Sequence, residues 1–594
     1  MSSPNRNLVW ATTIVDQLAR AGLRAVCIAP GSRSTPLTLA FADHPDVTVY
    51  RHLDERSAAF FALGMARATE RPVSLVCTSG SAVANFFPAV VEAHESRIPL
   101  IVMTGDRPPE LRGSGANQTI DQIKFYGDYV RWSVDLAVPE GEPAALTIRY
   151  LKTTAARAYA LANGTPRGVV HLNFPFRKPL EPTAQESDHV EAPLLISQDA
   201  DQLRRANTHM TRGVVTPTVE QIGMVAHLFR ECERGIIVCG TNCPTGDFPE
   251  RVSQLSAHTQ YPVFAEPSSG VRFSEALHPL VMGGYETFLN NMNVPLPEVV
   301  IRVGDVPTSK WLTDLLEAAP ARAYVQVSAD GVWSDDLHRT THFLHCEPEA
   351  LCAALLAELP GRTSTEWASL FLAVEATTWS VAHDALAEAN LDGAYIHDLV
   401  AGLPAGTRLF VGNSLAVRHV DQFGQPRRTP ITVYANRGAS GIDGNISTAL
   451  GAAAAEPDPP LVALVGDITL YHDMNGLFAL KDQAMQNVTL VVMNNNGGGI
   501  FQRLPVNRFE PPFTDLFVMP HDLDFAHVAR LYDLDHVVVE SRDALREEIA
   551  RVGTRGRARL LEVRTSIAED ESARRRVLQR VRAEVESLQI SNGF

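Results

Sequence analysis

LVALVGD at 461–467 and VTLVVMNNNGGG at 488–499 are the stretches that decide the fold class. Each is a short apolar run, rich in β-branched residues, that stops abruptly at Gly, Asp or Asn. Such a run reads as a strand buried on both faces, as in a parallel sheet covered by helices. The interval from Asp467 to Asn495 has room for one crossover helix, so the two strands are adjacent and their terminal loops lie side by side. Open α/β sheets bind ligands beyond the carboxyl ends of their strands. There the Asp467 carboxylate, an Asn amide oxygen and the Gly497 carbonyl form a partial oxygen shell. Mg2+ completes such a shell with phosphate and water. The glycines let backbone N–H groups approach a diphosphate closely. The same residues also populate ordinary strand-end turns, so these loops alone leave both readings open.

The pattern extends outward in both directions. Leu409–Val411 and Thr432–Tyr434 read as strands of the same segment. Near the start, Ala25–Ala29, Val47–Tyr50, Val73–Cys77 and Leu100–Met103 alternate with helical stretches, among them the Ala-rich run from Arg56 to Ala68. A middle segment has strands near Gly235–Val238, Val299–Val303 and Ala323–Val327. The expected fold is α/β, with three doubly wound parallel-sheet domains at 1–185, 216–365 and 366–594. The first and third could be related at fold level. A polar, Pro-containing linker is expected at 186–215.

A net charge of −16 disfavours nonspecific nucleic-acid binding, which needs a positive field. No apolar run reaches the length of a membrane span, and the segment Met1 to Leu8 is polar. The seven cysteines are scattered, and no second Cys or His pair follows Cys239 and Cys243 at zinc-site spacing. Reduced thiols in a cytoplasmic protein are expected. The basic stretch from Arg574 to Arg582 reads as a solvated helix face.

Glu55, in His52-Leu53-Asp54-Glu55-Arg56-Ser57, sits between a strand and a helix. An acid there can serve the helix dipole, a role that Asp54 fills better because it can also cap. Burial would instead raise the Glu55 pKa and suit it to share a proton with a ring nitrogen. With the two loops above, and in this order, Glu55 makes the chain resemble the thiamine-diphosphate enzyme superfamily over nearly its whole length. The resemblance implies a pyrimidine-binding domain, a central domain and a diphosphate-binding domain. Glu55 is then the catalytic residue at the aminopyrimidine ring. Asp467, Asn495 and Gly497 hold Mg2+, with Mn2+ as a substitute and Asn494 as the alternative if the register shifts by one. Ser79, Gly80, Ile442 and Gly466 complete the cofactor site, Ile442 propping the cofactor in its bent form. One departure is that Ile468 stands where the superfamily motif has a second Gly.

Six strings point to one branch. They are Pro30 to Leu37, Gly105 to Leu111, Gly115 to Gln118, Gly412 to Ser414 with Arg418, Asn436 to Gly444, and Asn496 to Phe501. Together they resemble the family of 2-succinyl-5-enolpyruvyl-6-hydroxy-3-cyclohexene-1-carboxylate (SEPHCHC) synthases of menaquinone biosynthesis. That resemblance implies decarboxylation of 2-oxoglutarate and conjugate addition of the resulting four-carbon unit to isochorismate. Both substrates are dianions, and Arg suits bidentate recognition of carboxylates. The matching cations are Arg33, Arg107, Arg418, Arg437 and Lys310. Ser32, Asn117, Gln118 and Ser414 supply neutral hydrogen bonds, and Ile500, Phe501 and Leu504 an apolar wall. A homodimer or homotetramer with active sites at the subunit interface is also implied. The alternative is another carboligase of the superfamily, such as acetohydroxyacid synthase, which handles less charged substrates. A plain dinucleotide enzyme lacks support, because no Gly-x-Gly-x-x-Gly opens the helix after the first strand.

Overall fold

The structure, a computed structural model, describes residues 5–188, 208–290, 294–388, 391–554 and 556–592. Most of the expected linker, 189–207, lies outside the described residues. The chain forms two compact units. One comprises 1–212, 436–457 and 472–486, and the other 213–435, 458–471 and 487–594.

The first unit is built on a six-stranded sheet of β1 (Ala25–Ile28), β2 (Thr48–Arg51), β3 (Val73–Cys77), β4 (Leu100–Asp106), β5 (Trp132–Asp135) and β6 (Val169–Pro175). Its order is β2-β1-β3-β4-β6-β5 and every pairing is parallel. The chain leaves β1 in one direction and returns on the other side of it with β3. The topological switch point therefore lies between the carboxyl ends of β1 and β3. Helix Glu55–Thr69 crosses helix Asn445–Ala455 at very short range: a Cβ on Gly64 would stand 1.9 Å from the Thr448 carbonyl oxygen, and one on Gly451 1.9 Å from that of Phe61. The crossing requires a residue without a side chain on both faces.

The second unit holds two sheets. The central one contains β7 (Gly235–Cys239), β8 (Val263–Ala265), β9 (Val281–Met282), β10 (Val299–Val303), β11 (Ala323–Ser328) and β12 (His342–His345), in the order β12-β11-β10-β7-β8-β9. This is the strand order of dinucleotide-binding folds. The loop leaving β7 carries no Gly-x-Gly-x-x-Gly, however, and Asn242 ties it to the loop leaving β10 by a 2.6 Å bond to the Asp305 carboxylate. The other sheet contains β13 (Arg408–Val411), β14 (Thr432–Tyr434), β15 (Leu461–Gly466), β16 (Val488–Asn494), β17 (Asp535–Val539) and β18 (Arg559–Arg564). Its order, β14-β13-β15-β16-β18-β17, repeats that of the first sheet strand for strand. β15 and β16 pair directly, in parallel, from Leu461–Val488 to Gly466–Met493.

The C-terminal helix Ile567–Asn592 differs from the sequence reading. Val577, Val581 and Val585 are buried at helical spacing, and the last two pack into the central core with Trp367, Phe371 and Val374. Arg575, Arg576, Arg580 and Arg582 remain exposed, so only part of the stretch is a solvated face. No helix of the described residues is long and apolar enough to cross a membrane.

Candidate active site

In the second unit, Asp467 follows β15 and is 3% exposed. Its Oδ1 accepts from the Ile468 N–H (2.7 Å) and its Oδ2 from the Gly497 N–H (3.0 Å), which binds the two loops together. His521 Nε2 stands 3.3 Å from the same Oδ2. Burial raises the carboxyl pKa, against the two backbone donors and His521. Asn494 is occupied structurally: its Nδ2 donates to Glu562 (2.7 Å) and its Oδ1 accepts from the Asn496 N–H (3.1 Å). Asn495 differs, because its Oδ1 is buried with no hydrogen-bond partner. A buried amide oxygen without a donor is costly unless a ligand satisfies it. Gly497 has φ +146°, and a Cβ there would stand 2.3 Å from the Val518 carbonyl oxygen. Among the described residues no group of three His, Cys, Asp or Glu could hold a metal. An ion at this site would draw on amide, carbonyl and ligand oxygens beside Asp467. The donor set is all oxygen and fits Mg2+.

Ser414 follows β13 with φ 66° and ψ −124°, a strained setting for a residue with a side chain. It opens helix Leu415–Phe423, and its carbonyl accepts from Arg418 Nη1 (2.7 Å). Ile500 and Phe501 lie half-buried on the short helix Gly499–Arg503, Phe501 edge-on to Phe517, and Leu504 is exposed. Lys310 is the outlier: its side chain is 76% exposed and pairs with Asp314 at 2.8 Å.

In the first unit the expected residues gather at the switch point. Arg33, in the loop after β1, is buried. Its N–H donates to Thr78 Oγ1 (3.1 Å) and its Nη1 to the Phe176 carbonyl (2.7 Å), while its Nε is buried with no partner. Arg107, after β4, donates to Ser79 Oγ. Ser79 and Gln118 bond each other's carbonyls, at 3.0 and 2.9 Å. Gly80 N–H donates to Gln122, which in turn donates to Asn173. Ser32 and Asn117 are exposed. The Arg33 pKa is lowered by burial and then by Arg107, with Asp106 opposing. Arg107 thus lies close enough to disfavour the charge on Arg33.

Glu55 is the first residue of helix Glu55–Thr69, and Asp54 caps that helix through the Ser57 N–H (3.2 Å). The Glu55 carboxylate is therefore not needed as a cap, and it accepts from Asn85 Nδ2 (3.3 Å). Arg437 and Ile442 lie half-buried in a loop anchored by Glu92, whose carboxylate accepts from the N–H groups of Gly438, Ala439 and Ser440.

Comparison with known proteins bears on this arrangement. The family described as "Thiamine pyrophosphate enzyme, N-terminal TPP binding domain" matches residues 9–125. Its counterpart, "Thiamine pyrophosphate enzyme, C-terminal TPP binding domain", matches 414–563. A protein of Roseiflexus sp. (strain RS-1) named 2-succinyl-5-enolpyruvyl-6-hydroxy-3-cyclohexene-1-carboxylate synthase is 54% identical over 97% of this chain and 98% of its own. One of the same name from Roseiflexus castenholzii is 53% identical over 98% and 99%, and one from Haloarcula marismortui 44% over 98% and 99%. The chain belongs to the SEPHCHC synthase family of thiamine pyrophosphate enzymes.

Several residues of this SEPHCHC synthase family member escape sequence reading. Thr78 and Phe176 hold Arg33, Gln122 and Asn173 hold the Gly80 N–H, and His521 stands against Asp467. They act through carbonyls or ordinary polar groups that no local signal marks. Asn496, inside the Asn-rich run already singled out, accepts through its Oδ1 from the N–H groups of His521 and Asp522.

Proposed function

We propose that the protein joins 2-oxoglutarate, with loss of CO2, to isochorismate, giving SEPHCHC for menaquinone biosynthesis. Relatives that match it end to end carry that enzyme's name. The structural observation that carries the reading is the Arg33–Arg107 pair at the switch point, with Arg33 Nε buried and without a partner. Dianionic substrates call for such cations, and an acetohydroxyacid synthase, with smaller and less charged substrates, has less use for them.

When bound, thiamine diphosphate supplies a nucleophilic carbon and an electron sink for decarboxylation. The chain's residues do the rest. Asp467, Asn495 and the Gly497 carbonyl would hold Mg2+ or Mn2+, with Gly466 in the same loop pair. Ser79, Gly80 and Ile442 would complete the cofactor site. Glu55 would share a proton with the cofactor's pyrimidine ring. Arg33, Arg107, Arg418, Arg437 and Lys310 hold carboxylates. Ser32, Asn117, Gln118 and Ser414 orient them, while Ile500, Phe501 and Leu504 keep water from the reacting carbon. The working enzyme is a homodimer or a dimer of dimers in which Glu55 of one subunit serves the cofactor held by Asp467 of another. Three domains, 1–185, 216–365 and 366–594, each contain one sheet. Seven free cysteines, six of them buried, suit a reducing cytoplasm.

The test is incubation with thiamine diphosphate, Mg2+, isochorismate and 2-oxoglutarate, following isochorismate absorbance and CO2 release. Turnover should need all four and fall at least a hundredfold in Glu55→Gln. CO2 release from 2-oxoglutarate with isochorismate untouched would overturn the acceptor. Reaction of pyruvate alone would overturn the reading of the arginines.

A further inference from the structure

Helix Leu415–Phe423 carries Arg418 on one side and three buried polar residues, His419, Asp421 and Gln422, on others. Two of the three are held by side chains from elsewhere in the second unit. Asp421 Oδ1 accepts from the fully buried Arg272 (2.7 Å) and from the Tyr285 hydroxyl (2.6 Å). His419 Nε2 stands 2.5 Å from Arg503 Nη2. A guanidinium can only donate, so His419 Nε2 accepts and the ring is neutral, with its proton on Nδ1. The nearest carboxylate, on Asp570, is 3.9 Å from Nε2, too far to compete. Burial first, and then Arg503, Arg574 and Arg418, hold the His419 pKa well below its usual value, in agreement with a neutral acceptor.

Arg503 closes the short helix Gly499–Arg503, which carries Ile500 and Phe501. Its side chain is 17% exposed, and its acidic neighbours are at longer range: Glu571 at 3.4 Å and Asp570 at 4.0 Å from the C-terminal helix, with Asp392 acting on it electrostatically. Glu571 is already claimed by Arg574, through bonds of 2.9 and 3.0 Å, and by Arg575 at 2.7 Å. The short, directed contact of Arg503 is therefore the one to His419.

We propose that Arg503 and His419 form a clasp that fixes the Ile500–Phe501 segment in register with the helix bearing Arg418, and so act as positioning residues for the substrate site. The roles of those two elements rest on the proposed function; the clasp itself does not. His419 is 1% and Arg503 17% exposed, so the packing around the contact leaves the segment little room to slide. A substrate gripped by Arg418 then meets the Ile500–Phe501 wall at a set distance, so losing the clasp weakens its binding.

Two replacements of His419 separate ring volume from acceptor. His419→Phe keeps the ring volume and removes the acceptor, whereas His419→Gln places an amide oxygen near the position of Nε2. In His419→Phe, amide hydrogen exchange across 498–504 should quicken at least tenfold, with 567–585 unchanged. KM for at least one of the two acids should rise about tenfold while kcat changes less than threefold. His419→Gln should restore both readouts to within about twofold of the parent. Unchanged exchange at 498–504 in His419→Phe, or failure of the Gln variant to restore it, overturns the clasp. If the parent enzyme consumes neither acid, the proposed function has failed, and the exchange result alone decides the clasp. Faster exchange with KM unchanged for both acids would overturn the positioning role.

Discussion

At residue scale the two neighbouring asparagines show how a run of identical letters divides its work. Asn494 spends both ends of its amide inside the protein, on Glu562 and on the Asn496 N–H, whereas Asn495 leaves a buried Oδ1 unsatisfied. Asn494→Ala should cost about 1–3 kcal/mol of stability, because it leaves Glu562 short of a donor in a buried setting. Asn495→Ala should not lower the stability of the metal-free protein, because it removes an unsatisfied buried acceptor, and it should weaken the Mg2+ requirement curve at least tenfold. Urea unfolding alongside a Mg2+ titration of activity checks both, and equal stability losses in the two variants would reverse the assignment. The sequence alone left Asn494 open as an alternative, since adjacent identical amides differ only in what surrounds them. Lys310 is the other lesson at this scale. Its local sequence context says least of all the matching cations, and the side chain lies exposed against Asp314.

Among elements, the strands most legible in advance were those with unbroken apolar runs, such as β1, β7 and β15. β6 and β18 are buried as well, but His171 and Asn173 interrupt the first and Glu562 the second. These polar groups are tolerated because each has partners: His171 Nε2 meets Thr104 Oγ1 at 2.8 Å, and Glu562 accepts from Asn494, His536 and Arg564. Such pairings span the sheet and leave no trace in a local pattern. Burial at His171 pushes its pKa down to about 4, with Asp135 opposing. As pH falls from 6.5 towards 4, the unfolded chain binds a proton that the folded strand refuses, so stability is lost over that window and not above it. The loss from this residue is about 2–3 kcal/mol by pH 4.5. His171→Gln should therefore show a smaller drop in urea midpoint between pH 7.5 and pH 4.5 than the parent. Parallel drops would show that His171 does not set this part of the profile.

For the whole molecule, the proposed sharing of sites between subunits has a direct consequence. Glu55→Gln and Asp467→Asn homodimers should each be nearly inactive. Mixed and allowed to exchange subunits, they should recover up to about a quarter of parental activity, because each mixed dimer has one site with both residues intact. No recovery after exchange, verified by mass spectrometry of tagged subunits, would place Glu55 and Asp467 in the same subunit's site. The matching strand orders of the first and third sheets belong to this scale too: a relation that the sequence only allowed is visible once β5, β6, β17 and β18 are in place. By itself the sequence determined the α/β class and the family, because apolar runs and Gly-rich strings act locally and carry their meaning in order and spacing. Only the tertiary structure decided which Asn is left unsatisfied, that Arg33 is buried beside Arg107, and that Arg503 reaches His419. Those outcomes depend on partners far apart in the chain, and burial turns a polar side chain into a strong constraint only when the whole fold has closed around it.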